Sequence, residues 1–260
     1  MQEKLDKLPN WNELIKDYSA AGQQNFLERR PDVWVFGYIP EVDLLSRYVD
    51  SNSKILDFGC GNGKISRYVK DRLSCEPIGV DVNPEAIDRA KSFNDGIQYF
   101  VIKENEIPDS PVPFDACISN HVFPTYANHD AIVATLQAIR KTLKSGAPLI
   151  IYVDNTKYTG VKYTTFMGGV PEKKYSSGEP LPMRIYLGDT QIMDFHDYFW
   201  SPEDYLEAIK LAGYTDPQVI FSQYDAVNVK KYEEYFGLHL SEEFENEKLF
   251  SPCAIYSGRA

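Results

Sequence analysis

The sequence predicts an α/β fold built on a mostly parallel sheet with helices on both faces. Three observations predict it. Short apolar runs alternate with segments of helical spacing along most of the chain. The runs, such as ILDF from residue 55 and PLIIYV from residue 148, are almost continuously apolar, as strands buried on both faces are. The connections are short, which favours strand–helix crossovers over separate layers.

Taken in order, residues 43–49 read as a helix and 54–58 as the first strand. A helix is expected over 64–73 and a strand over 77–80. Asn83 precedes Pro84 as an N-cap with proline at the first helical position, starting a helix to about residue 91. Strands follow at 97–102 and 114–119, then an amphipathic helix from His129 to about Leu143 and a fifth strand at 148–153. Residues 154–192 break the alternation and are rich in Tyr, Gly, Pro and Lys. Within them MRIYL and QIMDF flank Gly188-Asp189, the pattern of a β-hairpin. Ser201-Pro202 opens another helix that Gly213 ends. Strands at 218–223 and 252–257, with a helical stretch between them, complete the chain. The domain reading is a helical lid over residues 1–50, then one domain over 51–260 carrying a lid insertion at 154–192.

The 260 residues are 43% hydrophobic with a formal net charge of −11, enough for a substantial core and a poor surface for nucleic acid. Four scattered cysteines form no C-x-x-C pair, which argues against a zinc knuckle and fits free thiols in a cytoplasmic protein. The N-terminal residues lack a basic-then-apolar leader pattern, and no apolar run reaches the roughly 20 residues of a membrane span, so no membrane partner is expected.

The most informative stretch is LDFGCGNGK, from Leu56 to Lys64. It is not a P-loop, because Ile65 follows Gly63-Lys64 and Phe58 stands where the first glycine belongs. It also departs from the dinucleotide fingerprint, since Lys64 occupies the third glycine position and leaves G-x-G-x-G. Asp81, at the end of the second strand in IGVD, is placed to accept the hydroxyls of a ribose.

ILDFGCGNG followed by GVD resembles class I S-adenosylmethionine (AdoMet)-dependent methyltransferases. NEIP at 105–108, FDACISNH at 114–121 and AIRKTLKSG at 138–146 are similar to later segments of that family in the same order. The resemblance implies a Rossmann-like, seven-stranded, mostly parallel sheet whose last strand is antiparallel, with AdoMet as cofactor. It implies that Asp57 and the backbone of Gly59, Cys60, Gly61 and Gly63 hold the methionine end, and that Asp81 holds the ribose. Val82 would lie against the adenine, with Glu104 and Asn105 near its amine, Ser119 and Asn120 after the fourth strand, and Tyr18 closing over the cofactor.

The acceptor is less constrained. Asn120-His-Val-Phe-Pro124 is not the N/D-P-P-Y of nucleobase and glutamine methyltransferases. Asp154-Asn155 resembles half of a magnesium site, but Ser119-Asn120 stands where its other half belongs, so no metal is expected. A small-molecule acceptor is expected, methylated on nitrogen or oxygen within an aromatic pocket drawn from Tyr152, Tyr158, Tyr163, Phe166 and Tyr175. The segment DFHDYFWSPEDY from Asp194 resembles the pre-helix segment of bacterial small-molecule methyltransferases, weakly the toxoflavin-type N-methyltransferases, and makes His196, Tyr198 and Trp200 substrate candidates. His121 is the candidate general base, with substrate contact, at an ordinary imidazole pKa of about 6.5. A protein or peptide methyltransferase and a catalytically idle AdoMet-binding scaffold are the alternatives. A monomer or homodimer is expected.

Overall fold

The computed structural model describes residues 26–103, 106–107, 113–241 and 243–260. Helix α1 (Ile39–Leu45) follows a short helical turn, Pro31–Val33, and a π-helical turn, Trp34–Tyr38. Then come β1 (Lys54–Phe58), α2 (Lys64–Leu73), β2 (Glu76–Asp81), α3 (Pro84–Ser92), β3 (Gln98–Val101), β4 (Ala116–Asn120), α4 (His129–Thr142) and β5 (Pro148–Asp154). After them lie β6 (Phe166–Gly168), β7 (Pro180–Leu187), β8 (Thr190–Tyr198), α5 (Pro202–Leu211), β9 (Thr215–Phe221), α6 (Ala226–Phe236), α7 (Glu245–Leu249) and β10 (Cys253–Arg259).

Seven strands form one sheet in the order β3-β2-β1-β4-β5-β10-β9, and β10 alone runs antiparallel to its neighbours on both sides. The order reverses between β1 and β4, and in open α/β sheets the crevice at such a switch point is where ligands bind. Both faces are apolar. Leu56, Leu149, Ile151 and Val153 pack toward α4 and α5, whereas Ile55, Ile118, Ile150 and Tyr152 pack toward α1, α2 and α6.

Local chemistry sets the helix starts. The Asn83 side chain accepts from the amides of Glu85 and Ala86, and Asn128 accepts from Asp130. Ser201 and Asp204 form a reciprocal capping box on α5. His129 is the first residue of α4, and its Nε2 lies 3.0 Å from the Asp204 carbonyl.

The insertion is more than a loop. β6, β7 and β8 form a separate antiparallel sheet, and the hairpin predicted around Gly188-Asp189 runs to Tyr198, beyond the expected limit of 192. Leu181, Met183, Ile185, Met193 and Phe195 make its apolar face with Tyr163 and Phe166. That sheet is fastened to the N-terminal segment through Asp32, which is fully buried and accepts from the Thr165 amide (2.7 Å) and hydroxyl (2.5 Å). Arg30 Nε donates to the same hydroxyl at 2.7 Å.

Candidate active site

Four polar side chains stand at or near the carboxyl ends of adjacent strands: Asp57 on β1, Asp81 on β2, Asn120 on β4 and Asp154 on β5. A single cavity of about 940 Å³ meets all four. Its first wall is the loop after β1. Gly59, Gly61 and Gly63 all have positive φ, a conformation open to glycine at little cost. A Cβ on Gly63 would collide with the Tyr99 hydroxyl, whereas one on Gly61 would meet only open space. Asp81 holds this loop: its Oδ2 accepts from the Gly61 amide and its Oδ1 from the Asn83 amide, each at 2.8 Å. The Val82 amide also bonds this carboxylate, which with about four lone-pair sites still has room for a ligand hydroxyl. Val82, Glu85, Ala86, Arg89, Ile102 and Lys103 continue the wall on this side, with Val82 half exposed.

Beneath the loop, Asp57 is buried and accepts from the Ser66 hydroxyl at 2.5 Å. Burial pushes its carboxyl up to about 7 despite that bond. The Asn120 amide lines the cavity without a well-formed hydrogen bond, although the buried Glu41 carboxyl stands beside it. Such a buried amide is costly unless a ligand completes it.

The far end is built from the N-terminal segment and the hairpin. Leu27, Glu28, Arg30, Val33 and Tyr38 close one side, and Met183, Ile185, Phe195 and Asp197 close the other. The π-helical turn carries Tyr38 to the wall, and the Lys64 ammonium lies 4.7 Å from the centre of its ring. Burial, reinforced by Arg30, pushes Lys64 down to about 7.

His121 is in the wall, with φ of 55°, unusual for a non-glycine residue. Its amide donates to the Tyr152 carbonyl at 2.9 Å, which sets the bend after β4. The expected ordinary imidazole pKa is corrected here. Burial, then the charges of Arg30 and Lys64, push it down to about 3, so the ring is neutral at pH 7 and a weak proton acceptor.

Several other expected residues are not brought to the cavity. Tyr152 is fully buried behind His121, its hydroxyl 3.3 Å from Cys253 Sγ and its ring so close to Gly37 that a Cβ there would collide with it. Tyr158 stacks at a tilt on Phe250 away from the main cavity, and Tyr163 and Phe166 belong to the insertion's own core. Tyr175 stacks on Phe199. Trp200 is a core residue whose indole donates to the Tyr126 carbonyl at 2.9 Å. Ser119 is fully buried inside β4 with its hydroxyl unpaired.

His196 and Tyr198 fail for a geometric reason. Side chains alternate along β8, so Met193, Phe195 and Asp197 share the face toward the cavity, and His196 and Tyr198 take the other. The alternation in QIMDFHD was the signal for Phe195 and Asp197: a carboxylate in register with two apolar residues. Arg30 and Tyr38 had no comparable signal, since their place depends on the path of the N-terminal segment, whereas Lys64 enters the wall as the first residue of α2 after the glycine loop. Tyr18, Glu104 and Asn105 lie outside the described residues.

The comparisons agree with this geometry. Residues 55–146 match the family described as "Methyltransferase domain". The chain is 29% identical over 176 residues to N-demethylindolmycin N-methyltransferase of Streptomyces griseus, covering 65% of this chain and 73% of that one. It is 31% identical over 116 residues to a tRNA (carboxymethyluridine(34)-5-O)-methyltransferase of Xenopus tropicalis, covering 44% of this chain but only 17% of that protein. The fold is similar to SAM-bound CalS10, an amino pentose methyltransferase of Micromonospora echinaspora. Its TM-score is 0.60 at 14% identity, over 94% of this chain and 98% of that one. These similarities support an AdoMet-dependent methyltransferase of class I. AdoMet is its cofactor. The residues present fit it: an open glycine cradle, an acid at the end of β2 with room for a ligand hydroxyl, and an Asn120 amide without a well-formed hydrogen bond in the same wall.

Proposed function

We propose that the chain methylates a nitrogen or oxygen of a small-molecule acceptor, without a metal, at the end of the cavity beneath the β7–β8 hairpin. One observation carries the reading: the cavity that begins at the glycine loop and Asp81 continues without interruption to Met183, Ile185, Phe195 and Asp197. Its volume is at the upper end for small-ligand clefts, which suits a cofactor and a compact acceptor side by side. The Streptomyces relative, an N-methyltransferase of N-demethylindolmycin, supports a small acceptor and a nitrogen. The net charge of −11 disfavours a polynucleotide.

AdoMet, when bound, supplies a methyl group already activated on a sulfonium. The chain's part is to align the acceptor and exclude water. Asp81 and the loop from Gly59 to Gly63 fix the cofactor's position, with Asp57 supporting its methionine end. His121, neutral and held by its bent backbone, serves as a wall beside the reacting atoms rather than as the base. Residues 26–45 and the hairpin act as the cover, clasped together at Asp32 and Thr165.

The test is transfer of label from methyl-tritiated AdoMet to separate pools: small amines and phenols, including N-demethylindolmycin, a basic peptide, and bulk tRNA. Label in the small-molecule pool supports the reading. Label confined to peptide or tRNA overturns it, and no label in any pool from protein that binds S-adenosylhomocysteine identifies an idle scaffold.

A further inference from the structure

The far end of the cavity holds two carboxylates without a counter-charge fixed on them. Asp197 is 8% exposed and lies opposite Leu181 in the hairpin register, between apolar neighbours on the same face. Asp154 ends β5 and lines the same cavity. The Oδ1 atom of each is buried and accepts no hydrogen bond. Ionisation of both is opposed: burial and then Asp154 push Asp197 up to about 8, and burial pushes Asp154 up to about 7. Arg30 eases Asp154 and Asp32 opposes it. Arg30 is committed elsewhere, through Nε to Thr165 and with its guanidinium over the Phe166 ring. Lys64 lies over Tyr38, and His121 is neutral.

An orphaned carboxylate on an apolar face is a poor structural choice, and two sharing one cavity are poorer. They become favourable together if a ligand brings positive charge and several donors. A neutral hydroxyl brings one donor and no charge. A hard divalent cation needs six or more oxygen ligands, and among the described residues no group of three His, Cys, Asp or Glu is placed to hold a metal. A protonated amine meets the requirement, and Met183, Ile185 and Phe195 suit the carbon that carries it.

We propose that Asp154 and Asp197 form the subsite for the protonated amine of the methyl acceptor, and that one of them takes a proton from that nitrogen before transfer. This rests on the small-molecule reading above and narrows it to basic amines. The ammonium gives one N–H proton to a carboxylate and becomes a neutral amine. Its freed lone pair forms the new N–C bond to the AdoMet methyl as the C–S bond breaks, the electron pair staying on sulfur. The methylated ammonium is again a cation and rests against the other carboxylate. The carboxyl proton passes to solvent as the product leaves, so each turnover releases one proton.

The test is calorimetric titration at pH 7.5 of protein saturated with S-adenosylhomocysteine. The probes are 2-phenylethylamine and its neutral counterpart 2-phenylethanol, in two buffers of different ionisation enthalpy, with EDTA or with magnesium chloride. The expected result is an amine preference of about tenfold or more, with proton release only for the amine and no effect of magnesium. Asp197→Asn and Asp154→Asn, near-isosteric and checked for folding by thermal unfolding, should each bring the two probes to within about twofold of each other. Equal affinities, no binding of either probe, an unchanged preference in both variants, or displacement of the amine by magnesium overturns the proposal. Failure to bind S-adenosylhomocysteine in the first place would instead bring down the reading on which it rests.

Discussion

The Gly61 amide donates to Asp81 Oδ2 at 2.8 Å, so the glycine loop and the acid proposed to read the cofactor's ribose are one hydrogen-bonded unit. The other oxygen of Asp81 is engaged by the Asn83 amide. Asp81→Asn therefore turns one acceptor toward a backbone donor the wrong way, besides losing the charge. We expect S-adenosylhomocysteine affinity to fall by about tenfold or more, equivalent to roughly 1.4 kcal/mol, with a small drop in the unfolding midpoint. Calorimetry on the variant checks this, and unchanged affinity removes Asp81 from the ribose site.

The clasp between the N-terminal segment and the insertion depends on Thr165, whose hydroxyl serves both Asp32 and Arg30. Thr165→Val keeps the shape and the backbone bond to Asp32 but deletes both hydroxyl contacts to charged groups. A loss of about 2 kcal/mol is expected, or roughly 4–8 °C in the midpoint for a chain of this size. Thermal unfolding measures it directly.

His121 gives a spectroscopic prediction. With its pKa pushed down to about 3, its ring stays neutral from pH 5 to 8, so its ring-proton resonance should not move over that range. Nor should activity show an inflection near 6.5 that His121→Asn removes. A titration of that resonance near 6.5 would restore His121 as the base.

Asp197 links the site to stability. Its folded pKa is raised to about 8, above an unfolded value near 3.9. The folded state thus holds a proton that the unfolded state surrenders, so this group's contribution is fully present below about pH 4 and lost as pH rises through about 8. The carboxamide of the Asp197→Asn variant cannot titrate. The midpoint of that variant relative to wild type should be near zero or below at pH 4 and rise by about 4 °C or more by pH 8. A difference that stays flat across this range contradicts the burial of an unpaired carboxyl here.

The parallel half of the molecule was legible because its signals are local. Apolar runs marked the strands, Asn83-Pro84 and Ser201-Pro202 marked helix starts, and the glycine spacing with Asp81 marked the end of the cavity proposed for the cofactor. The far end of the cavity, proposed for the acceptor, was not legible in the same way. It is assembled from residues distant in sequence, such as Arg30, Lys64, Asp154 and Asp197. Aromatic content pointed to Tyr152, and the resemblance of the segment from Asp194 pointed to Trp200; the structure spends both on packing. In β8 the sequence singled out a segment that lines the cavity but residues on its other face, because a one-residue step along a strand exchanges Asp197 for His196.

The central claim is that one cavity has a cofactor end at the glycine loop and a separate acceptor end at the hairpin. The most direct measurement is S-adenosylhomocysteine affinity in wild type, Gly61→Val and Asp197→Asn, by calorimetry. Gly61 faces open space in the cradle with φ of 53°, so valine there occupies the cofactor's room, and affinity should fall by about tenfold or more. Asp197→Asn should stay within about twofold of wild type. Equal losses in both variants, or a loss confined to Asp197→Asn, would contradict the two-ended site.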